Sequence, residues 1–156
     1  MCIRDRAAVA LRCVEQLAAL ADRRRIDLGL EAPDAAFVRA QPALLDALVS
    51  NLLDNALRYT QEGGRVTLGV RETADAVVLS VEDNGPGIPA EARERVFERF
   101  YRVAQDSEGT GLGLAIVREI ARAFDADVDL AANPREASGL LVTVRFPPAG
   151  PAENAG

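Results

Sequence analysis

A chain of 156 residues, 49% hydrophobic, has room for one domain with a true core, and with aromatics at only 4% and no Trp that core must be Leu, Val, Ile and Ala. The formal net charge of −6, with Arg as the only basic residue type, argues against a nucleic-acid surface, although backbone amides remain able to hold a phosphate. There is no His to serve as acid–base catalyst or metal ligand, Cys2 and Cys13 are too few for a disulfide framework, and no apolar run reaches the ~20 residues of a membrane span, so a reduced, cytoplasmic segment without direct membrane insertion is expected.

MCIRDR carries no usable pattern, and residues 1–6 are set aside as an unassigned N-terminal remnant. From Ala7 to Arg25, apolar residues at Val9, Leu11, Val14, Leu17, Ala18 and Ala21 predict an amphipathic helix. IDLGLE and AFVRA read as two short strands around the turn APD. Gln41-Pro42 opens a second helix that runs to about Tyr59 and is stopped by QEGG. Arg65–Arg71 and Ala76–Glu82 alternate with period two across ETAD, which predicts a hairpin. A weakly patterned segment from Ala90 to Glu108 precedes GTGLGLAIVREIARAF, whose glycines give way to a helix from near Leu112. Asp127–Ala131 and Leu140–Phe146 close as strands across NPREASG, and a disordered tail is expected over 148–156. The mixture predicts an α+β domain over 7–147, a sheet with helices packed on one face.

Four of these segments bear chemistry. On the second helix Leu45, Leu48, Val49, Leu52, Leu53, Ala56 and Tyr59 share an arc, with Asp46, Ser50 and Asp54 on the opposite, solvated side. Asn51, Asn55 and Arg58 form a stripe at the edge of the apolar face, where an amide would line a cleft. A neutral amide oxygen suits Mg²⁺, which takes its charge balance from substrate phosphates; the same residues would also serve as ordinary boundary polars. Asp83 ends a strand on the face shared by Val77, Leu79 and Val81, so its carboxylate needs a donor. The exocyclic amine of a purine would supply one, and so would the Gly85 amide in a simple Asx-turn. DNGPGIP then places Gly85 and Gly87 around Pro86, where a ligand could approach the main chain. Gly109, Gly111 and Gly113 gather free amides at a helix start, an anion site in principle, although glycine-rich turns often bind nothing. Between them, VFERFYR holds Phe97, Phe100 and Tyr101, which read either as ring anchors of a movable flap or as a short helix packed on the core.

The order of these pieces is more specific than any one of them. NLLDNALRYT, DNGPGIP, VFERFYR and GTGLGLAIV resemble the N, G1, F and G2 boxes of the ATP-binding catalytic domain of sensor histidine kinases, in the Bergerat-fold (GHKL) group that includes DNA gyrase. The resemblance spans roughly Leu11 to Pro147 and implies a two-layer α/β sandwich, a mixed sheet of about five strands under three helices. It implies ATP and Mg²⁺ as cofactors, with Asn55 as the metal ligand and Asn51 one turn earlier, nearer the phosphates. Arg58 resembles a phosphate-facing cation, and Tyr59 the ring beside the nucleotide. Asp83 resembles the adenine-reading acid, with Gly85, Gly87 and Ile88 shaping the pocket. Gly109, Thr110, Gly111, Leu112 and Gly113 resemble the lid hinge and its phosphate-facing amides. Arg99 and Arg102 are the lid cations expected at the γ-phosphate, and with Asn51, Asn55 and Arg58 they make up the catalytic set.

The implied reaction is phosphoryl transfer from Mg·ATP to a His side chain, in which the protein positions groups and neutralises charge. The implied partners are a His-bearing dimerisation domain and, through the full kinase, a response-regulator receiver domain; the parent is expected to be membrane-anchored and the segment itself monomeric. Two departures stand out. The chain has no His, so it cannot phosphorylate itself. SGLLVTVRFP carries Leu140 and Leu141 where relatives often have a hydroxyl, so no adenine contact is expected there. The competing readings are a stand-alone serine kinase of the anti-sigma-factor type on the same fold, against which VFERFYR counts, and a non-catalytic nucleotide-binding module.

Overall fold

The computed structural model describes residues 2–3, 6–31, 38–39, 42–98 and 113–147. Its elements in chain order are β1 (Cys2–Ile3), α1 (Arg6–Arg23), β2 (Asp27–Glu31), β3 (Val38–Arg39), α2 (Pro42–Tyr59), β4 (Arg65–Glu72), β5 (Val77–Asp83), α3 (Gly113–Ala123), β6 (Asp127–Ala132) and β7 (Leu140–Phe146). Two 3₁₀ turns, Ala90–Ala92 and Arg95–Phe97, lie between β5 and α3.

Five strands form one mixed sheet in the order β2-β4-β5-β7-β6. The β4–β5 hairpin is antiparallel, with Val66 opposite Asp83 and Leu68 opposite Val81, as the period-two pattern predicts. β2 runs parallel to β4, which demands a long crossover; α2 is the helix in it. IDLGLE and AFVRA therefore do not pair with each other. β3 pairs with β1 in a separate two-stranded ribbon, so MCIRDR, patternless as it is, contributes Cys2 and Ile3 to a ladder. Backbone pairing of two residues requires no side-chain periodicity, which is why the sequence does not announce it.

Helices α1, α2 and α3 cover one face of the sheet. Val66, Leu68, Val70, Leu79, Val81, Val142, Val144 and Phe146 point into it and meet Leu45, Leu48, Val49, Leu52, Leu53 and Leu57 of α2. Each fully buried Leu contributes about 1.5–3 kcal/mol relative to exposure, so α2 is held mainly by this seam. The arc differs from expectation in two ways: Tyr59 is only half-buried, and the side expected to be solvated is covered, with Leu57 fully buried between Asp46 and Ser50 on the wheel and Asp46, Ser50 and Asp54 half-buried, because α2 also packs against α1 and α3. The opposite face of the sheet carries Thr67, Gly69, Ser80, Glu82 and Thr143. Val78 is buried there as well, flanked across the strands by Arg71 and Arg145.

Both α1 and α3 end without glycine. Arg25 and Asp125 each take φ 54, and the next amides, of Ile26 and Ala126, close back on the Ala21 and Ala121 carbonyls at 2.9 and 2.8 Å. Arg24 adds a tie at the end of α2: its Nη1 donates to the Leu57 carbonyl and its Nη2 to that of Thr60 at 3.1 Å. A guanidinium on the last carbonyls of a helix satisfies acceptors that have no intrahelical partner. The C-terminal end of α2 is thus fixed against the end of α1.

Candidate functional site

Asp83 is the last residue of β5 and is 6% exposed, on the helix-covered face. The Gly85 amide donates to its Oδ1 at 2.9 Å, and the Leu140 amide lies 3.4 Å from the same oxygen. The Asx-turn is therefore real, but it engages only one carboxylate oxygen; Oδ2 has no hydrogen bond among the described residues. Burial raises the Asp83 pKa above its ordinary 3.8; the Gly85 and Leu140 amides oppose this, and nearby Glu82 adds to it.

The wall around this carboxylate is backbone. A Cβ on Gly85 would sit 2.9 Å from the Tyr59 carbonyl oxygen, 3.2 Å from Asp83 Oδ1 and 3.3 Å from the Thr60 Cα. Only glycine lets the end of α2 press this closely on the turn after β5. Thr60 is completely buried, and its Oγ1 has no hydrogen-bond partner among the described residues. An unpaired buried hydroxyl costs about 1–3 kcal/mol, and this one belongs to the residue that packs on Gly85 beside Asp83. Asn84 is stapled to β4: its Oδ1 accepts from the Arg65 amide at 2.7 Å, and its carbonyl accepts from Gln61 Nε2 at 3.2 Å.

One turn back along α2, Asn55 is half-buried, and its carboxamide makes no hydrogen bond among the described residues. Asn51 is also half-buried but partly satisfied, its Nδ2 donating to the Ala47 carbonyl at 2.7 Å. A Cβ on Gly113 would lie 3.9 Å from Asn51 Oδ1, so the N-terminus of α3 comes down beside this residue. Arg58 is exposed and paired with Asp54 at 2.9 Å. The pair bridges the stripe to the side of α2 that the helical wheel assigned to solvent, because residues four apart are neighbours on a helix surface.

Ile88 packs against the core, and its carbonyl accepts from Arg93 Nε at 3.2 Å. Phe97 joins the core from the second 3₁₀ turn, with the Arg118 guanidinium 4.9 Å from its ring centroid, which matches the short-helix reading. Phe100, Tyr101, Arg99, Arg102, Gly109, Thr110, Gly111 and Leu112 lie outside the described residues.

Two contributors escaped the sequence reading. Asn133, 7% exposed, donates from Nδ2 to the Asp83 carbonyl at 2.7 Å. Gly139, at φ +131, passes so close that a Cβ would fall 1.9 Å from the same carbonyl oxygen, and a Cβ on Gly87 would fall 2.9 Å from the Gly139 carbonyl oxygen. The only local signal was an Asn and a Gly bounding the β6–β7 turn, a pattern common to turns in general. The arrangement as a whole is a half-open wall: one acid and one hydroxyl with spare bonding capacity at the end of α2, and two amides along the helix toward the start of α3.

Residues 40–150 match the family described as histidine kinase-, DNA gyrase B- and HSP90-like ATPases. The chain belongs to that family. It is 36% identical over 140 residues to the adaptive-response sensory kinase SasA of Nostoc sp., a stretch that covers 85% of this chain and 35% of that protein. Among solved structures, a mycobacterial sensor histidine kinase, MprB, superposes with TM-score 0.82 at 28% identity over 95% of this chain and 97% of that one. Full-length ShkA in complex with AMPPNP superposes with TM-score 0.78 at 26% identity, over 92% of this chain and 30% of that one. The ATPase-family chain spans about a third of the length of the curated relatives it matches. Its α+β sandwich is that of histidine-kinase catalytic domains, and Asn51, Asn55, Thr60, Asp83 and Gly85 lie within the matched region. No helix among the described residues is long and apolar enough to cross a membrane.

Proposed function

We propose that this chain is the ATP-binding catalytic domain of a sensor histidine kinase, delivering the γ-phosphoryl group of ATP to a His on a separate dimerisation domain. The observation that carries the reading is the meeting of Asp83, Gly85 and Thr60 at the end of α2, with unused bonding capacity on Asp83 Oδ2 and Thr60 Oγ1. Asp83 accepts the exocyclic amine of adenine; Gly85 and Gly87 leave the base room to settle, and Ile88 supplies apolar surface. A helix rises ~1.5 Å per residue, so Asn55 stands about 6 Å and Asn51 about 12 Å from Tyr59 along the α2 axis. That order, base end to phosphate end, suits a nucleoside triphosphate lying along the helix.

The donor set also suits a divalent ion that arrives with its nucleotide. Among the described residues no group of three or more acidic or thiol side chains gathers, and Asn55 offers a neutral oxygen that has no partner there. When bound, Mg²⁺ would neutralise charge on the β- and γ-phosphates. Asn55 and Asn51 would hold and orient the phosphate end, with Arg58 of α2 and, from the lid, Arg99, Arg102 and the amides of residues 109–113 adding positive potential. Tyr59 would flank the nucleotide. The domain is proposed to extend over 7–147, and its partners to be the parent kinase's dimerisation domain and, beyond it, a receiver domain.

Two measurements test this. Calorimetric titration with ATP should show binding that strengthens with Mg²⁺. Incubation with ATP and a purified His-bearing dimerisation domain should give acid-labile phosphate on that His. Transfer to a serine of an anti-anti-sigma partner instead would select the serine-kinase reading, and Mg²⁺-independent binding with no transfer would select the non-catalytic one.

A further inference from the structure

We infer that Asn133 is a positioning residue for adenine selection, acting through the main chain of Asp83; the inference rests on the proposal that Asp83 reads the base. Asn133 lies 50 positions from Asp83 in sequence, just beyond the end of β6, and is buried. Its side chain bonds at both ends. Nδ2 donates to the Asp83 carbonyl at 2.7 Å, and Oδ1 accepts from the Arg135 amide at 2.9 Å. Its own amide donates to the Gly139 carbonyl at 3.1 Å, closing the turn whose next residue, Leu140, points its amide at Asp83 Oδ1. Asp83 is therefore gripped twice from the β6–β7 turn: at the carbonyl by Asn133, and at the carboxylate by Leu140.

This grip sets the direction of the carboxylate. Asp83 is the last strand residue, and its carbonyl has left the ladder: β5 pairs with β7 only as far as Glu82 opposite Leu141. On the other side, the β4–β5 register does reach Asp83, opposite Val66. Without Asn133 the peptide unit after Asp83 keeps only its β4-side tie, the Asn84 amide donating to the Arg65 carbonyl at 3.2 Å, so it can tilt about that bond and turn Oδ2 away from the base. The far end of the clasp is firm as well. Arg135 is chelated by Glu82, Nε to Oε1 at 3.1 Å and Nη2 to Oε2 at 2.8 Å, with Glu31 3.6 Å from Nη2. Glu82 and Asp83 are adjacent in β5 and face opposite sides of the sheet, so the turn is fastened to both sides of the strand that bears the acid.

The experiment compares ADP with IDP, which lacks the exocyclic amine, both with Mg²⁺, on the whole chain and four variants. The wild type should prefer ADP by about tenfold or more, the value of one charge-assisted hydrogen bond. Asp83→Asn should erase that preference. Asn133→Ala, and Asn133→Asp, which keeps the size but loses the donor, should each cut it by at least about threefold while Mg·IDP affinity stays within about twofold. Val144→Ala, a buried β7 residue away from the pocket, should lower the melting temperature and leave the ADP/IDP ratio untouched. If Asn133→Ala does not fold, Asn133→Ser carries the same comparison. An unchanged ratio in the Asn133 variants alongside a lost ratio in Asp83→Asn overturns the inference and leaves the reading of Asp83 standing. An unchanged ratio in Asp83→Asn overturns both. Equal losses in the Asn133 variants and Val144→Ala reduce Asn133 to a stability residue and also overturn the inference.

Discussion

Replacing Gly139 with Ala probes the junction on which the pocket depends. The new Cβ would stand 1.9 Å from the Asp83 carbonyl oxygen and 2.9 Å from the Asn84 Cα, both backbone atoms that no rotamer change relieves. The residue also sits at φ +131, a conformation costing a non-glycine residue about 1–3 kcal/mol. Relief requires the β6–β7 turn to lift off the end of β5. That motion breaks the Asn133 Nδ2 bond to the Asp83 carbonyl and the Leu140 amide bond to Asp83 Oδ1, each worth about 0.5–1.5 kcal/mol. Together these give a loss of about 3–5 kcal/mol, or on the order of 10 °C in melting temperature for a domain of this size. Urea denaturation and thermal melts of the variant measure it, and Gly29→Ala is the internal control. A Cβ at Gly29, in β2, meets nothing within 4 Å, so that change should move stability by no more than about 0.5 kcal/mol. Should the two variants melt within a degree or two of each other, the close approach of the turn to Asp83 is not what holds this corner.

Asp83→Asn should weaken ATP binding by about 1.5–3 kcal/mol, read by calorimetry; unchanged affinity would remove Asp83 from the pocket. Asn55→Ala should spare adenosine binding but abolish the Mg²⁺ enhancement of ATP binding, and an equal Mg²⁺ response in both proteins would contradict the ligand role. Because burial raises the Asp83 pKa above 3.8, the native state binds this proton more tightly than the unfolded chain. The stability it lends is complete below 3.8 and is lost as pH rises through the native value, so denaturation midpoints of wild type and Asp83→Asn should diverge with rising pH over that window; parallel profiles would refute the shift. Leu53→Ala, at a fully buried position of α2, should cost about 2–5 kcal/mol in urea denaturation, and a loss below 1 kcal/mol would mean that α2 is not seated as described.

What was legible in the sequence was local. The alternation of Val66, Leu68 and Val70 against Val77, Leu79 and Val81 reports a hairpin because side chains two apart share a face of a strand. The stripe of Asn51 and Asn55 beside buried leucines follows from helical spacing alone, and Asp83 falls on the buried face by the same counting. The helical wheel went astray on the side it gave to solvent: Leu57 is fully buried there and Asp46, Ser50 and Asp54 are half-buried, because α2 packs against α1 and α3 as well as the sheet, which the spacing within one helix does not disclose.

The sequence by itself determined the helices, the central hairpin, the buried acid and the order of the motifs, since each depends on neighbours within a few residues. Only the tertiary structure decided that β2 lies parallel to β4, that residues 2–3 pair with 38–39, and that a turn 50 positions downstream holds Asp83 by its carbonyl. Such contacts leave no period in the chain. They exist because packing the helices on one face of the sheet leaves few ways to bring the strand ends together, and at that corner only an amide donor and a residue without a side chain fit.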